Sequence, residues 1–191
     1  MRYIFAFLLM TIGLNATATE IFYSPEDMKD KIIEYAKKHP SMAGAKDIER
    51  LTLEKMNKDS PTDPVNCSYP KQNEDRDLYS SKIGELCLQM IYNPIEKKGV
   101  LISAIQYDNE DDPMLSSATD EYRSLIYAMA YSIDPSIKSD NRNNTKFKFY
   151  MAGREFGEGK DFIVINDIIY SYSIKKGVRM FFIAGANTSP Q

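Results

Sequence analysis

Leu86-Cys87-Leu88-Gln89-Met90-Ile91-Tyr92 and Val100-Leu101-Ile102-Ser103-Ala104-Ile105-Gln106-Tyr107 are two apolar runs of strand length, separated by the turn-rich segment Asn93 to Gly99. Period-two alternation places Leu86, Leu88, Met90 and Tyr92 on one face of the first run and Cys87, Gln89 and Ile91 on the other. Neighbouring strands joined by so short a connection pair antiparallel. The sequence Lys97-Lys98-Gly99-Val100 recurs as Lys175-Lys176-Gly177-Val178. Both read as hairpin turns in which glycine supplies a positive φ, not as an internal repeat.

Helices and further strands extend outward from this hairpin. Ser24-Pro25-Glu26-Asp27 reads as a cap, a first-turn proline and a capping-box acid, opening a helix from Pro25 to Lys38 whose apolar face is Met28, Ile32, Tyr35 and Ala36. Lys37, Lys38 and His39 suit its negative end, and Pro40 stops it. Lys46 to Met56 fits a helix better than a strand, although Ile48, Leu51 and Met56 do not settle the period. Asn57 to Ser81 is polar and carries Pro61, Pro64 and Pro70, the composition of a long surface loop. A second helix is expected from Ala118 to Ile133, capped through Ser117 and Asp120, with Tyr122, Leu125, Ile126, Met129 and Ile133 facing the core. In the last third, Phe147, Phe149 and Met151 alternate with lysines as in a strand, and Phe162 to Ile174 and Val178 to Ala184 read as further strands. The expectation is one α+β domain over residues 19–184, an antiparallel sheet of about five strands covered by two or three helices, followed by a flexible tail at 185–191.

Residues 1–18 have the form of an export signal: Arg2, an apolar run from Tyr3 to Leu14, and Ala16-Thr17-Ala18 as a small-x-small exit. That run is shorter than the roughly 20 residues a spanning helix needs, and no later segment approaches it, so no membrane span is expected. The chain carries 24 basic and 27 acidic residues, a net charge of −3. Loss of Arg2 with the leader makes the remainder more acidic, which argues against nucleic acid or an anionic membrane as partner. Cys67 and Cys87 are the two cysteines. In an oxidising compartment such as the periplasm they pair, which would pin the long loop to the sheet face opposite the leucines and remove both thiols from catalysis.

No catalytic residue, metal site or cofactor can be assigned. Asp108, Glu110 and Asp112 have the spacing of an opening calcium loop, but Pro113 stands where glycine is required and Thr119 where the bidentate acid belongs. With Asp111, these acids read as a solvated acidic turn or as a contact surface for a basic partner. Gly153 to Lys160 has a superficial likeness to a phosphate loop, yet the glycine spacing is one residue too long and Asp161 replaces the hydroxyl residue. It reads as a hairpin loop whose Arg154 and Phe156 are free to touch a partner. His39 is the single histidine, which leaves no His-Glu-x-x-His set, and there is no Gly-x-Ser-x-Gly elbow. Tyr127 and Tyr131, four apart and opposite the core face of their helix, are either an exposed aromatic surface or are covered by another element.

In its leader, size, acidity, Cys67–Cys87 pair and want of catalytic motifs, the chain resembles the small periplasmic immunity proteins that protect bacteria from toxins delivered by type VI secretion. The resemblance implies a protein partner, a cognate secreted toxin, whose active site is occluded by a protruding loop, either Asp108 to Asp112 or Gly153 to Gly159. The partner-binding residues it puts forward are Asp108, Glu110, Asp111, Asp112, Tyr127, Tyr131, Arg154 and Phe156. Competing expectations are a carboxylate-based hydrolase of cell wall or sugar, and an envelope factor holding a small ligand.

Overall fold

The computed structural model describes residues 23–107, 119–155, 161–175 and 178–185. The expected leader, Asp108, Glu110, Asp111, Asp112, Phe156, Gly177 and residues 186–191 lie outside them. The architecture is α+β: among the described residues, seven antiparallel strands in the order β1-β2-β3-β4-β7-β6-β5, with five α-helices. The strands are β1 (Glu54–Lys55), β2 (Asp77–Ile83), β3 (Leu86–Asn93), β4 (Lys98–Tyr107), β5 (Phe162–Ile165), β6 (Ile168–Lys175) and β7 (Val178–Gly185). The helices are α1 (Pro25–Lys38), α2 (Ala45–Ile48), α3 (Asp120–Ile133), α4 (Ser136–Ser139) and α5 (Asn141–Glu155). Two up-and-down meanders, β2-β3-β4 and β5-β6-β7, are joined at their last strands by the β4–β7 ladder, and α3, α4 and α5 form the connection between them.

The decisive hairpin folds as its alternation requires. Leu86, Leu88 and Met90 face the helices and join Ile102, Ala104, Phe181, Ile183, Tyr170 and Tyr172 in the main core with Met28 and Ile32 of α1, Leu125, Ile126 and Met129 of α3, and Phe147 of α5. Cys87 points to the other face, where it packs with Cys67 and Ile105 against Tyr107, Val178 and Met180. The disulfide is formed, and the loop from Asn57 crosses this second face, with Tyr69 Oη hydrogen-bonded to Tyr107 Oη. Helix α1 has the expected bounds, Ser24 Oγ accepting from Asp27 N at 3.1 Å.

Several expectations need correction. Among the described residues there are seven strands rather than about five, three being gained and the one expected around Phe147 lost. First, the polar stretch whose composition is that of a loop to Ser81 becomes β2 at Asp77, because its core-facing positions alternate the polar Asp77 and Ser81 with Tyr79 and Ile83, while Ser80 is buried on the opposite face. Second, the run from Phe162 to Ile174 is broken at Asn166-Asp167, which take φ 48° and 59° and turn β5 into β6, a two-residue hairpin suited to those side chains. Third, Lys46 to Met56 is neither one helix nor one strand but the single turn α2 followed by the short β1.

The stretch around Phe147 is helix, not strand. Asp140 Oδ1 accepts from Arg142 N at 2.8 Å and Asn143 N at 3.1 Å and so starts α5, which then buries Phe147, Tyr150 and Met151 at i, i+3 and i+4 while Phe149 is 82% exposed. Gly153 and Arg154 therefore end a helix and do not sit in a hairpin loop. Helix α3 is capped by Thr119, whose Oγ1 accepts from Tyr122 N at 3.1 Å, and Ser117 of the expected cap lies outside the described residues. In the β3–β4 turn the positive φ falls on Lys97, at 54°, while Gly99 is already in β4. Strand β7 runs on through Gly185, which had been expected in the tail.

Candidate functional site

The turn that joins β2 to β3, the end of β4, and the starts of α2 and α3 meet at one end of the sheet. Gly84 makes that turn at φ 58°, bringing Glu85 to the rim, and Asp47 Oδ2 lies where a Cβ on Gly84 would be 3.7 Å away. Gly44 begins α2 at φ 70° and leaves room for the Glu121 side chain, which would stand 3.3 Å from a Cβ placed there. A side chain at either glycine would suffer the strain of a left-handed backbone, and at Gly44 it would also press on Glu121.

Between these elements lies a cleft of about 520 Å³. Its floor includes Ile48, Ile83 and Leu86, and Asp47, Glu85 and Glu121 contribute its charge. No basic side chain is among the described residues that line it. Gln106 Oε1, on the cleft wall, accepts from Thr119 N at 3.1 Å and from its Oγ1 at 3.4 Å, which fixes the entry of α3 to the end of β4. The three acids come from α2, a β turn and α3, so folding brings together groups that are remote in sequence. They are not gathered closely enough to chelate: among the described residues no three His, Cys, Asp or Glu side chains could hold a metal ion. What such an arrangement does chemically is attract cationic groups and speed their encounter.

The expected site residues distribute unevenly around this cleft. The segment with Asp108, Glu110, Asp111 and Asp112 departs from Tyr107 and re-enters at Thr119, both in the cleft lining, but is itself outside the described residues, as is Phe156. Tyr127 and Tyr131 are half-buried and lie between helices: Tyr131 approaches Tyr35 of α1 at 5.8 Å between ring centres, and Tyr127 meets Phe147 of α5 edge-on at 5.7 Å. Burial pushes the Tyr131 hydroxyl up to about 12, so it stays a neutral donor at physiological pH. These rings stand about 10 and 16 Å along α3 from its acidic N-terminus by helical rise, so they do not share the cleft.

Arg154 is occupied inside the fold: Nε donates to Tyr172 O at 3.1 Å and Nη1 lies 3.4 Å from Asp161 Oδ1. His39 is held too, its Nδ1 2.8 Å from Tyr35 O and its Nε2 2.8 Å from Lys138 Nζ, an arrangement met by an Nδ1–H tautomer accepting from the ammonium. Arg123 of α3 clamps Glu155 of α5 through Nε at 2.9 Å and Nη2 at 3.3 Å, so the helix layer above the sheet is tied across its width.

Asp47, Glu85 and Glu121 were not singled out from sequence. Gly84-Glu85 between two strands was the available signal, hidden because the first of those strands had been read as loop. Among the described residues no helix is long and apolar enough to cross a membrane. Comparison with protein-family models, with curated proteins and with solved structures gives no match to this chain.

Proposed function

We propose that this chain is an exported, non-enzymatic binding protein, an immunity protein that neutralises an envelope-directed toxin by occluding its active site. The observation that carries the reading is the convergence of Asp47, Glu85 and Glu121 on one cleft with no basic lining residue among the described ones, beside the points where the acidic segment 108–118 leaves and re-enters the fold. An acidic end of this kind complements a basic or polar cleft on a partner, and fixed negative charge there accelerates docking. The Cys67–Cys87 disulfide agrees with function in an oxidising compartment.

The test is capture of a partner from envelope and secreted fractions by Thr19–Gln191 with its disulfide intact, followed by inhibition of that partner's activity. The reading expects one stoichiometric hydrolase or transpeptidase, inhibited by the protein and released by Asp47→Lys/Glu85→Lys/Glu121→Lys. Inhibition untouched by the triple reversal would place the interface elsewhere, and a protein that inhibits nothing it binds would end the reading.

The cleft volume favours a second reading, a small-ligand binder, since ligand sites span about 300–1,000 Å³ and combine an apolar floor with a few polar groups. A thermal shift with small cationic ligands, abolished by Glu121→Gln, would support it over the inhibitor.

A further inference from the structure

The two edges of the sheet are treated differently. Strand β1 is two residues long, Glu54 and Lys55, both exposed and charged, which is a common way to discourage edge pairing. Strand β5, at the opposite edge, reads Phe162-Ile163-Val164-Ile165, with Phe162 53% and Val164 37% exposed. Ile165 and Ile168 close the two-residue turn, so Ile163 and Ile165 direct their N–H and C=O groups at β6. Those of Phe162 and Val164 must then point away from the sheet. Lys146 Nζ, 2.6 Å from Val164 O, agrees with that direction. No described residue accepts from the N–H of Phe162 or of Val164.

We propose that β5 pairs antiparallel with β5 of a second copy of this chain. Of the registers that match outward groups with outward groups, one uses both outward residues of each strand: Phe162 opposite Val164 of the second copy, with Ile163 on the two-fold axis. It forms four main-chain hydrogen bonds and makes an isologous contact, the usual geometry of a homodimer.

Charge favours the same occupant. Asp161 lies on the helix side of the strand, where Arg154 reaches it, and its side chain is 90% exposed. In this register Asp161 of the second copy comes beside Val164 and hence beside Lys146, and the symmetric pair forms as well. Each copy thus offers both partners of an ion pair at an otherwise apolar edge.

The exposed face also continues through the row Val164, Ile169, Ala184, Leu101, Ile91 and Leu78, paired across six strands. That row brings no charge into the joined sheet. The contact is independent of the toxin reading, because β5 is three strand spacings, about 14 Å, from β4, the nearest strand that lines the acidic cleft.

Analytical ultracentrifugation of Thr19–Gln191 over about 1 µM to about 1 mM tests it. A monomer–dimer equilibrium is expected, weakened tenfold or more by Val164→Lys. Lys146→Asp or Asp161→Lys alone should weaken it several-fold, and the double exchange should restore it. A monomer at every concentration overturns the proposal, as does a dimer indifferent to Val164→Lys or a charge exchange that fails to rescue. Should Val164→Lys not fold, hydrogen exchange in the unaltered protein decides. The Phe162 and Val164 amides must slow as concentration rises, and rates independent of concentration overturn the pairing.

Discussion

Cys67 and Cys87 stand with their Cα atoms 5.5 Å apart across the sheet face that carries no helix. Cys67 reaches this position at the end of a 3-10 turn, Pro64–Asn66, with a left-handed φ of 58°. The bridge closes a chain segment of 20 residues that has few apolar side chains of its own. Its stabilisation comes from restricting the unfolded chain, on the order of 3 kcal/mol for a loop of this length. Cys67→Ser/Cys87→Ser should lower the unfolding free energy by about that amount in urea melts. It should also free the Tyr69 hydroxyl from Tyr107, readable as a new tyrosine titration near the ordinary value of about 10, since burial now pushes Tyr69 up. A double variant as stable as the parent would show that the loop is held by its packing alone.

Asp77 begins β2 buried, with its carboxylate held by two lysines, Lys55 Nζ at 2.7 Å and Lys71 Nζ at 3.0 Å. Burial pushes its carboxyl up, but the Lys55 and Lys71 hydrogen bonds outweigh this and hold it below the usual range. A depressed folded-state value means stability that is fully present above the unfolded carboxyl value, about 3.9, and is lost as pH falls through the folded one. Asp77→Asn should therefore cost about 1.5–3 kcal/mol at pH 7, and the gap between parent and variant should close as pH falls through the depressed folded-state value. A gap independent of pH would mean that shape, not charge, matters at this position.

Phe147 and Phe149 are two residues apart and have opposite fates, the first fully buried and the second 82% exposed. In a strand they would share a face; in α5 they point about 200° apart. Phe147→Ala should cost about 3–5 kcal/mol, because the ring sits among Tyr127, Tyr131, Tyr170 and Phe181. Phe149→Glu should leave the melting midpoint nearly unchanged. Equal losses would restore the strand reading of this segment.

These positions show which parts of the fold were legible. The β3–β4 hairpin and α1 could be read because Leu86, Leu88 and Met90 repeat at the strand period and Met28, Ile32 and Ala36 at the helix period, although the positive φ of the hairpin turn falls on Lys97 and not on Gly99. The loop's course over the second face followed from Cys87 alone. Strand β2 escaped because Asp77, Ser80 and Ser81 are buried through hydrogen bonds and ion pairs, which leave no apolar alternation. Helix α5 escaped because Lys146-Phe147-Lys148-Phe149 imitates a strand, and the deciding Asp140 cap lies outside that window. The cleft acids escaped for a different reason: Asp47, Glu85 and Glu121 become neighbours only once α2, the β2–β3 turn and α3 are packed, and no local pattern encodes that meeting.

Tyr170 is a buried residue of β6 whose hydroxyl has no hydrogen-bond partner among the described residues. Its ring packs edge-on against Phe147 at 5.3 Å, so the aromatic body contributes while the polar tip is left without compensation. An unsatisfied buried hydroxyl costs about 1–3 kcal/mol. Tyr170→Phe should thus raise the unfolding free energy by about 1 kcal/mol, and a destabilised variant would point to a partner for the hydroxyl in solution, such as an ordered water.

Asp47, Glu85 and Glu121 line one cleft, and no basic side chain lines it with them among the described residues. If the fold were their only purpose, such a grouping would be a liability, since like charges held together weaken the compact state. Asp47→Asn/Glu85→Gln/Glu121→Gln should therefore leave the melting temperature unchanged or higher at low salt, with the difference fading as salt is added. Against a captured partner the same variant should associate more slowly, with most of the loss in the on-rate and little change in the off-rate, because these acids lie at an exposed rim where charge steers more than it anchors. Loss of stability in the variant would make the acids structural. A variant whose off-rate rises instead would place them in the desolvated centre of the contact.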